Sequence, residues 1–98
     1  MNENIDDLSV SYFEDGIETV KQLDKKILSK GAWTTIIFQL QDWNKTKAEY
    51  GPVKFSIRRY QKRNGSFVQR SKFNISSADQ ATKIIDALHG WLAIPEVF

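Results

Sequence analysis

Val53-Lys54-Phe55-Ser56-Ile57-Arg58-Arg59-Tyr60-Gln61-Lys62 alternates apolar and polar side chains with a period of two, the signature of a half-buried β-strand. Val53, Phe55 and Ile57 fall on one face, and Lys54, Ser56, Arg58, Tyr60 and Lys62 on the other. Asn64-Gly65 follows, a dipeptide suited to a type I′ turn because both central positions take positive φ. Phe67–Ile75 must then return antiparallel as the next strand. Beyond it, Ser76-Ser77-Ala78-Asp79 begins a helix: a serine hydroxyl can accept from the exposed N–H groups, and an early aspartate complements the helix dipole. Ala81, Ile84, Ile85, Leu88 and Trp91 or Leu92 recur at helical spacing, and Pro95 ends the run.

Working back from Val53, the stretch Asn44–Pro52 is polar and carries Gly51-Pro52, which predicts a loop. Trp33–Trp43 is rich in Thr, Ile, Phe and Trp and reads as a strand. Ser29-Lys30-Gly31-Ala32 supplies a hairpin turn back to a less regular strand over Ile17–Leu28, for which a helix is the competing reading. Residues 1–16 have no sustained period and are rich in Asn, Asp and Glu; they are expected as a flexible acidic tail, leaving residues 17–98 as the domain. The expected fold is α+β, a four-stranded twisted antiparallel sheet followed by one C-terminal helix (β-β-β-β-α), with the helix stripe on the Val53, Phe55 and Ile57 face. A chain of 98 residues holds one modest core, so a homodimer is expected.

The net charge of +2 conceals an uneven distribution. Residues 1–28 carry three Lys/Arg against seven Asp/Glu, residues 29–77 ten against two, and residues 78–98 one against three. A middle segment of +8 between acidic flanks points to an anionic partner. Opposite charge also lets the acidic first segment fold back and compete with that partner.

The sequence argues against an enzyme. It has one histidine and no cysteine, so neither a disulfide framework nor a thiolate metal site can form, and no acid and base are paired. His89 lies beside Gly90 near the helix end, where a cation suits the dipole. The glycines are isolated turn residues, not a phosphate loop. No cofactor, metal or small-molecule substrate is expected. The first residues are acidic and no apolar run approaches membrane-spanning length, so a cytoplasmic protein is expected, nucleoid-associated in a bacterium.

Lys54, Arg58, Tyr60 and Lys62 share the face opposite the helix, and Arg70 and Lys72 can join them if Phe67 and Phe73 point inward. With Ile36, Phe38 and Leu40 taken as core, Trp33, Thr35, Gln39, Gln41 and Trp43 are left on the same open side. Cations neutralise phosphates and flat rings stack on unpaired bases. The expected ligand is therefore single-stranded DNA or RNA, held by Trp33, Trp43, Lys54, Arg58, Tyr60, Lys62, Arg70 and Lys72. The alternative is a non-catalytic protein–protein interaction module in which the exposed tryptophans form a subunit or docking interface.

Gly51-Pro-Val-Lys-Phe-Ser-Ile-Arg-Arg-Tyr60, with Gly65, Arg70-Ser-Lys72 and Ile75-Ser-Ser-Ala-Asp-Gln80, resembles the transcriptional positive-coactivator family of single-stranded DNA-binding proteins over about residues 17–92. In that family a strand of the form K-x-x-I-R-x-Y leads through a glycine-containing turn and a basic strand to a helix opened by I-S-x-x-x-Q. Lys54, Ile57, Arg58, Tyr60, Gly65, Lys72, Ile75, Ser76 and Gln80 sit accordingly, and Lys30-Gly31-Ala32-Trp33 is similar to the bacterial branch. The resemblance implies a protomer that dimerises and holds single-stranded DNA across curved sheets, a plan shared with Whirly and Pur-alpha proteins, and a role in transcription regulation or DNA maintenance. Two features depart from the family: Gln69–Asn74 replaces its lysine-and-glycine approach to the helix, and an acidic segment stands in place of its serine-rich leader.

Overall fold

A computed structural model describes residues 4–93. A short 3₁₀ turn over Ile5–Asp7 precedes six strands, Tyr12–Glu14 (β1), Ile17–Ser29 (β2), Trp33–Asn44 (β3), Glu49–Tyr50 (β4), Lys54–Arg63 (β5) and Ser66–Ile75 (β6), and one helix, Ala78–Leu92 (α1). The strands form one antiparallel sheet in the order β1-β2-β3-β5-β6, with β4 paired to β3. The architecture is the expected α+β with a C-terminal helix. The strand count is corrected from four to six, because two short strands, β1 and β4, accompany the four anticipated ones.

Local chemistry accounts for the turns. Asn64 and Gly65 sit at φ 52° and 82° between β5 and β6, the two positive values a type I′ turn requires. Asp15 and Gly16 repeat that geometry at 51° and 81°, closing the β1–β2 hairpin. The Ser77 hydroxyl caps α1 by accepting from the Gln80 N–H at 3.1 Å, and the Gln80 side chain accepts from the Ser76 N–H at 3.0 Å, so two exposed donors are satisfied reciprocally. The anticipated stop at Pro95 lies outside the described residues.

Antiparallel register determines which side chains share a surface, because residues directly opposite one another project to the same face. Ile36 faces Arg58, Phe38 faces Ser56 and Leu40 faces Lys54, while Arg58 in turn faces Lys72 and Ser56 faces Asn74. The β5–β6 ladder then slips: Arg59 pairs with Ser71 but Tyr60 with Gln69, leaving Arg70 as the extra residue of a bulge. The slip returns Gln69 and Phe67 to the face that also carries Lys72 and Asn74. The opposite face carries Ile37, Phe55, Ile57, Phe73 and Ile75, and α1 stands over it, with Ile37, Phe55, Ile57, Ile75, Ile84 and Leu88 among the walls of the intervening cleft.

The core does not lie where the helix stripe suggested. Its buried cluster is Leu8, Val10, Ile36, Phe38, Leu40, Tyr60 and Phe67, on the face away from α1, with Ile5, Val20 and Ile27 packed against it. No residue of α1 is buried. The cover is the segment expected as an acidic tail. Residues 5–10 form a strap across the sheet, burying Leu8 and Val10 to 4% and 7% exposure, and residues 12–14 continue as β1. Area removed from water contributes about 1.5–3 kcal/mol for each of these two side chains. The Val10 N–H donates to Gln22 Oε1 at 3.0 Å, and the Lys25 ammonium donates to the carbonyls of Ile5, Asp6 and Leu8 at 3.0, 2.8 and 2.8 Å. Among the described residues no ion pair forms between a strap carboxylate and the sheet, so the strap's direct attachments are apolar burial and these hydrogen bonds.

A strap within the core makes Leu8 a stability determinant. Leu8→Ala is expected to cost about 2–5 kcal/mol in urea denaturation, whereas Phe13→Ala, at a site 63% exposed, is expected to stay within about 0.5 kcal/mol of the parent.

Candidate nucleic-acid interface

On the strap face, Lys54 and Arg58 of β5 and Lys72 and Asn74 of β6 converge on a cleft of ≈ 220 Å³ floored by Val20 and Leu40. Arg58 is oriented by two acceptors, its Nε donating to Ser56 Oγ at 3.1 Å and a terminal nitrogen to Gln69 Oε1 at 3.3 Å. The Ser56 hydroxyl donates to Asn74 Oδ1 at 2.8 Å, so one chain of hydrogen bonds spans the two strands and fixes the guanidinium. Lys54 pairs with Asp42 across β3 and β5. This side of the face is polar, cationic and open.

The remainder of the same face is aromatic and covered. Phe38, Tyr60 and Phe67 come from three neighbouring strands, β3, β5 and β6, and their exposures are 0%, 5% and 8% beneath the strap. Cations flank the rings: the Arg58 guanidinium is 6.0 Å from the Phe38 centroid, and Lys62 Nζ is 5.7 Å from that of Phe67. Burial pushes the Tyr60 phenol above its ordinary 10.0, and neighbouring Arg58 opposes the shift by charge and by hydrogen bonding.

Of the residues anticipated for the site, Lys54, Arg58, Tyr60, Lys62 and Lys72 do share one face. Tyr60 is there but buried, which corrects its expected exposure. Trp33, Trp43 and Arg70 are not with them. Trp33 pairs with Gln61 and so projects to the helix face, where the Arg59 guanidinium lies 4.3 Å from its ring. Arg70, displaced by the bulge, donates from Nε to Gln61 Oε1 at 3.1 Å on that same side. Trp43 packs edge-on against Tyr50 at 5.1 Å, and the Tyr50 hydroxyl donates to the Glu18 carbonyl at 2.8 Å, so this indole belongs to a clip that holds β4 to the sheet. The two tryptophans share one source of error, because register places Ile36, Phe38 and Leu40 on the cation face and not under the helix, whereas Arg70 is moved by the bulge.

Gln69, which helps to orient Arg58, is not evident from alternation alone. The bulge at Arg70 brings it there, by pairing Gln69 with Tyr60. His89 lies in the last turn of α1. Among the described residues no three His, Cys, Asp or Glu side chains gather to hold a metal, and no helix is long and apolar enough to cross a membrane. Comparison of the chain with family models, curated proteins and solved structures gives no match.

The raised Tyr60 phenol sets a pH dependence. Protonated Tyr60 is favoured in the folded state, so its contribution is fully present below pH 10.0 and declines as pH rises through 10.0 toward the higher folded value. Thermal melts between neutral and strongly alkaline pH are expected to fall more steeply for the parent than for Tyr60→Phe, and parallel curves would remove this cause.

Proposed function

We propose that the strap face binds single-stranded nucleic acid, DNA or RNA, without catalysis, in a role in transcription regulation or DNA maintenance. One observation carries the reading: three aromatic rings on neighbouring strands, Phe38, Tyr60 and Phe67, share a face with Lys54, Arg58, Lys62 and Lys72. Cations along a groove that track phosphates, beside rings that accept unstacked bases, are what binding of a single strand requires. A duplex hides its base faces and gains only the electrostatic part. Phosphates occupy the Lys54, Arg58 and Lys72 cleft, where the hydrogen-bonded Arg58 meets an anion with little reorganisation. The cleft walls carry one carboxylate, Asp42, and it is paired with Lys54, which supports binding over chemistry.

The helix face supports a second reading, a non-catalytic protein-interaction module, whose simplest partner is another copy of the chain. Ile85, Leu88, Trp91 and Leu92 of α1 are 62%, 49%, 69% and 82% exposed, and Phe73 beneath is 51% exposed. Between helix and sheet lies a cleft of ≈ 350 Å³ with entirely apolar walls. The radius of gyration is 16.2 Å, against about 13 Å for a compact domain of 100 residues, so the protomer leaves surface uncovered that a compact fold would bury. Pairing of two protomers through α1 covers that surface and leaves both strap faces outward. Trp33, 39% exposed on this face, extends the same surface beyond the helix.

Anisotropy with labelled single-stranded and duplex oligonucleotides of equal length tests the ligand. Affinity for the single strand is expected to fall log-linearly with salt, and Arg58→Ala or Lys72→Ala to reduce the magnitude of the slope by about 0.7 for each phosphate no longer neutralised; binding insensitive to salt and to both substitutions would exclude this face. Sedimentation equilibrium is expected to give a dimer that Leu88→Asp converts to monomer. A monomeric parent protein would remove the proposed pairing.

A further inference from the structure

We infer that residues 5–10 are an intramolecular competitor, a strap that occupies the base-stacking half of the strap face and must lift for a single strand to bind there fully. This rests on the nucleic-acid reading of that face and adds its regulation. Three observations carry it. The strap lies over the rings and not over the phosphate cleft: Leu8 and Val10 share a buried cluster with Phe38, Tyr60 and Phe67, while Lys54, Arg58 and Lys72 line an open cleft beside it. The strap also withdraws a cation from the face. All three donors of the Lys25 ammonium are taken by the carbonyls of Ile5, Asp6 and Leu8, leaving none for a phosphate. Its attachment is local and separable from the ladder: between Ile5 and Val10 the bonds to the sheet come from the Lys25 and Gln22 side chains, and β-pairing begins only at Tyr12. Lifting these residues therefore breaks no backbone ladder.

The strap and a nucleic-acid strand present the same chemistry to the sheet. Each offers a row of oxygen acceptors to Lys25 and flat or apolar groups to Phe38, Tyr60 and Phe67. With the strap docked, a polyanion meets the Lys54, Arg58 and Lys72 cleft and exposed Lys62 but no ring, and discrimination between single strand and duplex is small. With the strap lifted, three rings and the Lys25 ammonium join the surface, and single strands are preferred.

The test compares the full-length parent with Leu8→Ala, a substitution that loosens the strap without changing charge. Anisotropy with a labelled oligothymidylate is expected to show Leu8→Ala binding about tenfold more tightly or better, since the ligand no longer displaces a well-seated strap. Equal or weaker binding by a folded Leu8→Ala protein overturns the strap mechanism and leaves the nucleic-acid reading standing. Absence of binding by both proteins at low salt overturns both. If Leu8→Ala fails to fold, amide exchange on the parent decides: oligothymidylate should accelerate exchange at Leu8 and Val10, whose N–H groups donate to the Ile5 carbonyl and to Gln22 Oε1. Binding that slows exchange at these amides, or leaves it unchanged, excludes displacement.

Discussion

The pairing of Ile36 with Arg58, and with it Phe38 with Ser56 and Leu40 with Lys54, places the apolar side of one strand and the cationic side of its neighbour on a single surface. Most antiparallel sheets separate these roles, one face for the core and one for water. Here the mixed face needs a cover that buries the rings without burying the charges. A helix would be too broad. A narrow extended segment suffices: Leu8 and Val10 seal the apolar part, the Lys25 ammonium is satisfied by backbone oxygens, and the cleft around Arg58 stays wet.

Once the strap has taken the mixed face, α1 is left with the other, and that face is only partly apolar. Thr35, Arg59, Gln61 and Ser71 occupy its far end, and Ile37, Phe55, Ile57, Phe73 and Ile75 its near end. The helix stands over the near end without burying any of its own residues. A protomer only 17 Å along its shortest axis has too little depth for two filled layers, and the apolar surface that remains asks for a partner.

Most of the element plan is legible because its signals are local. Alternation through Val53–Lys62, positive-φ turn residues at Asn64-Gly65 and the serine cap before α1 each specify their own structure. Two short strands are not. Glu49–Tyr50 is too brief to show a period, and so is Tyr12–Glu14, although Asp15-Gly16 beside it carries the same hairpin chemistry as Asn64-Gly65. The assignment of faces fails for a different reason. Which side of Trp33–Asn44 joins Arg58 depends on register between strands far apart in sequence, and a slip of one residue exchanges every side chain between faces. The strap is hidden for a related reason: Leu8 and Val10 are two apolar residues in an acidic stretch, and only the uncovered rings opposite them give those residues meaning.

The strap also orders events during synthesis. Leu8 and Val10 leave the ribosome before the buried residues they dock on, of which Tyr60 and Phe67 emerge last. At about 5–20 residues per second the interval lasts on the order of seconds. Throughout it β3 carries Ile36 and Phe38 without the rest of their cluster, which is complete only when the hairpin of β5 and β6 has added Tyr60 and Phe67. Closure of this core therefore runs backwards along the chain, with Leu8 and Val10 docking on residues made after them.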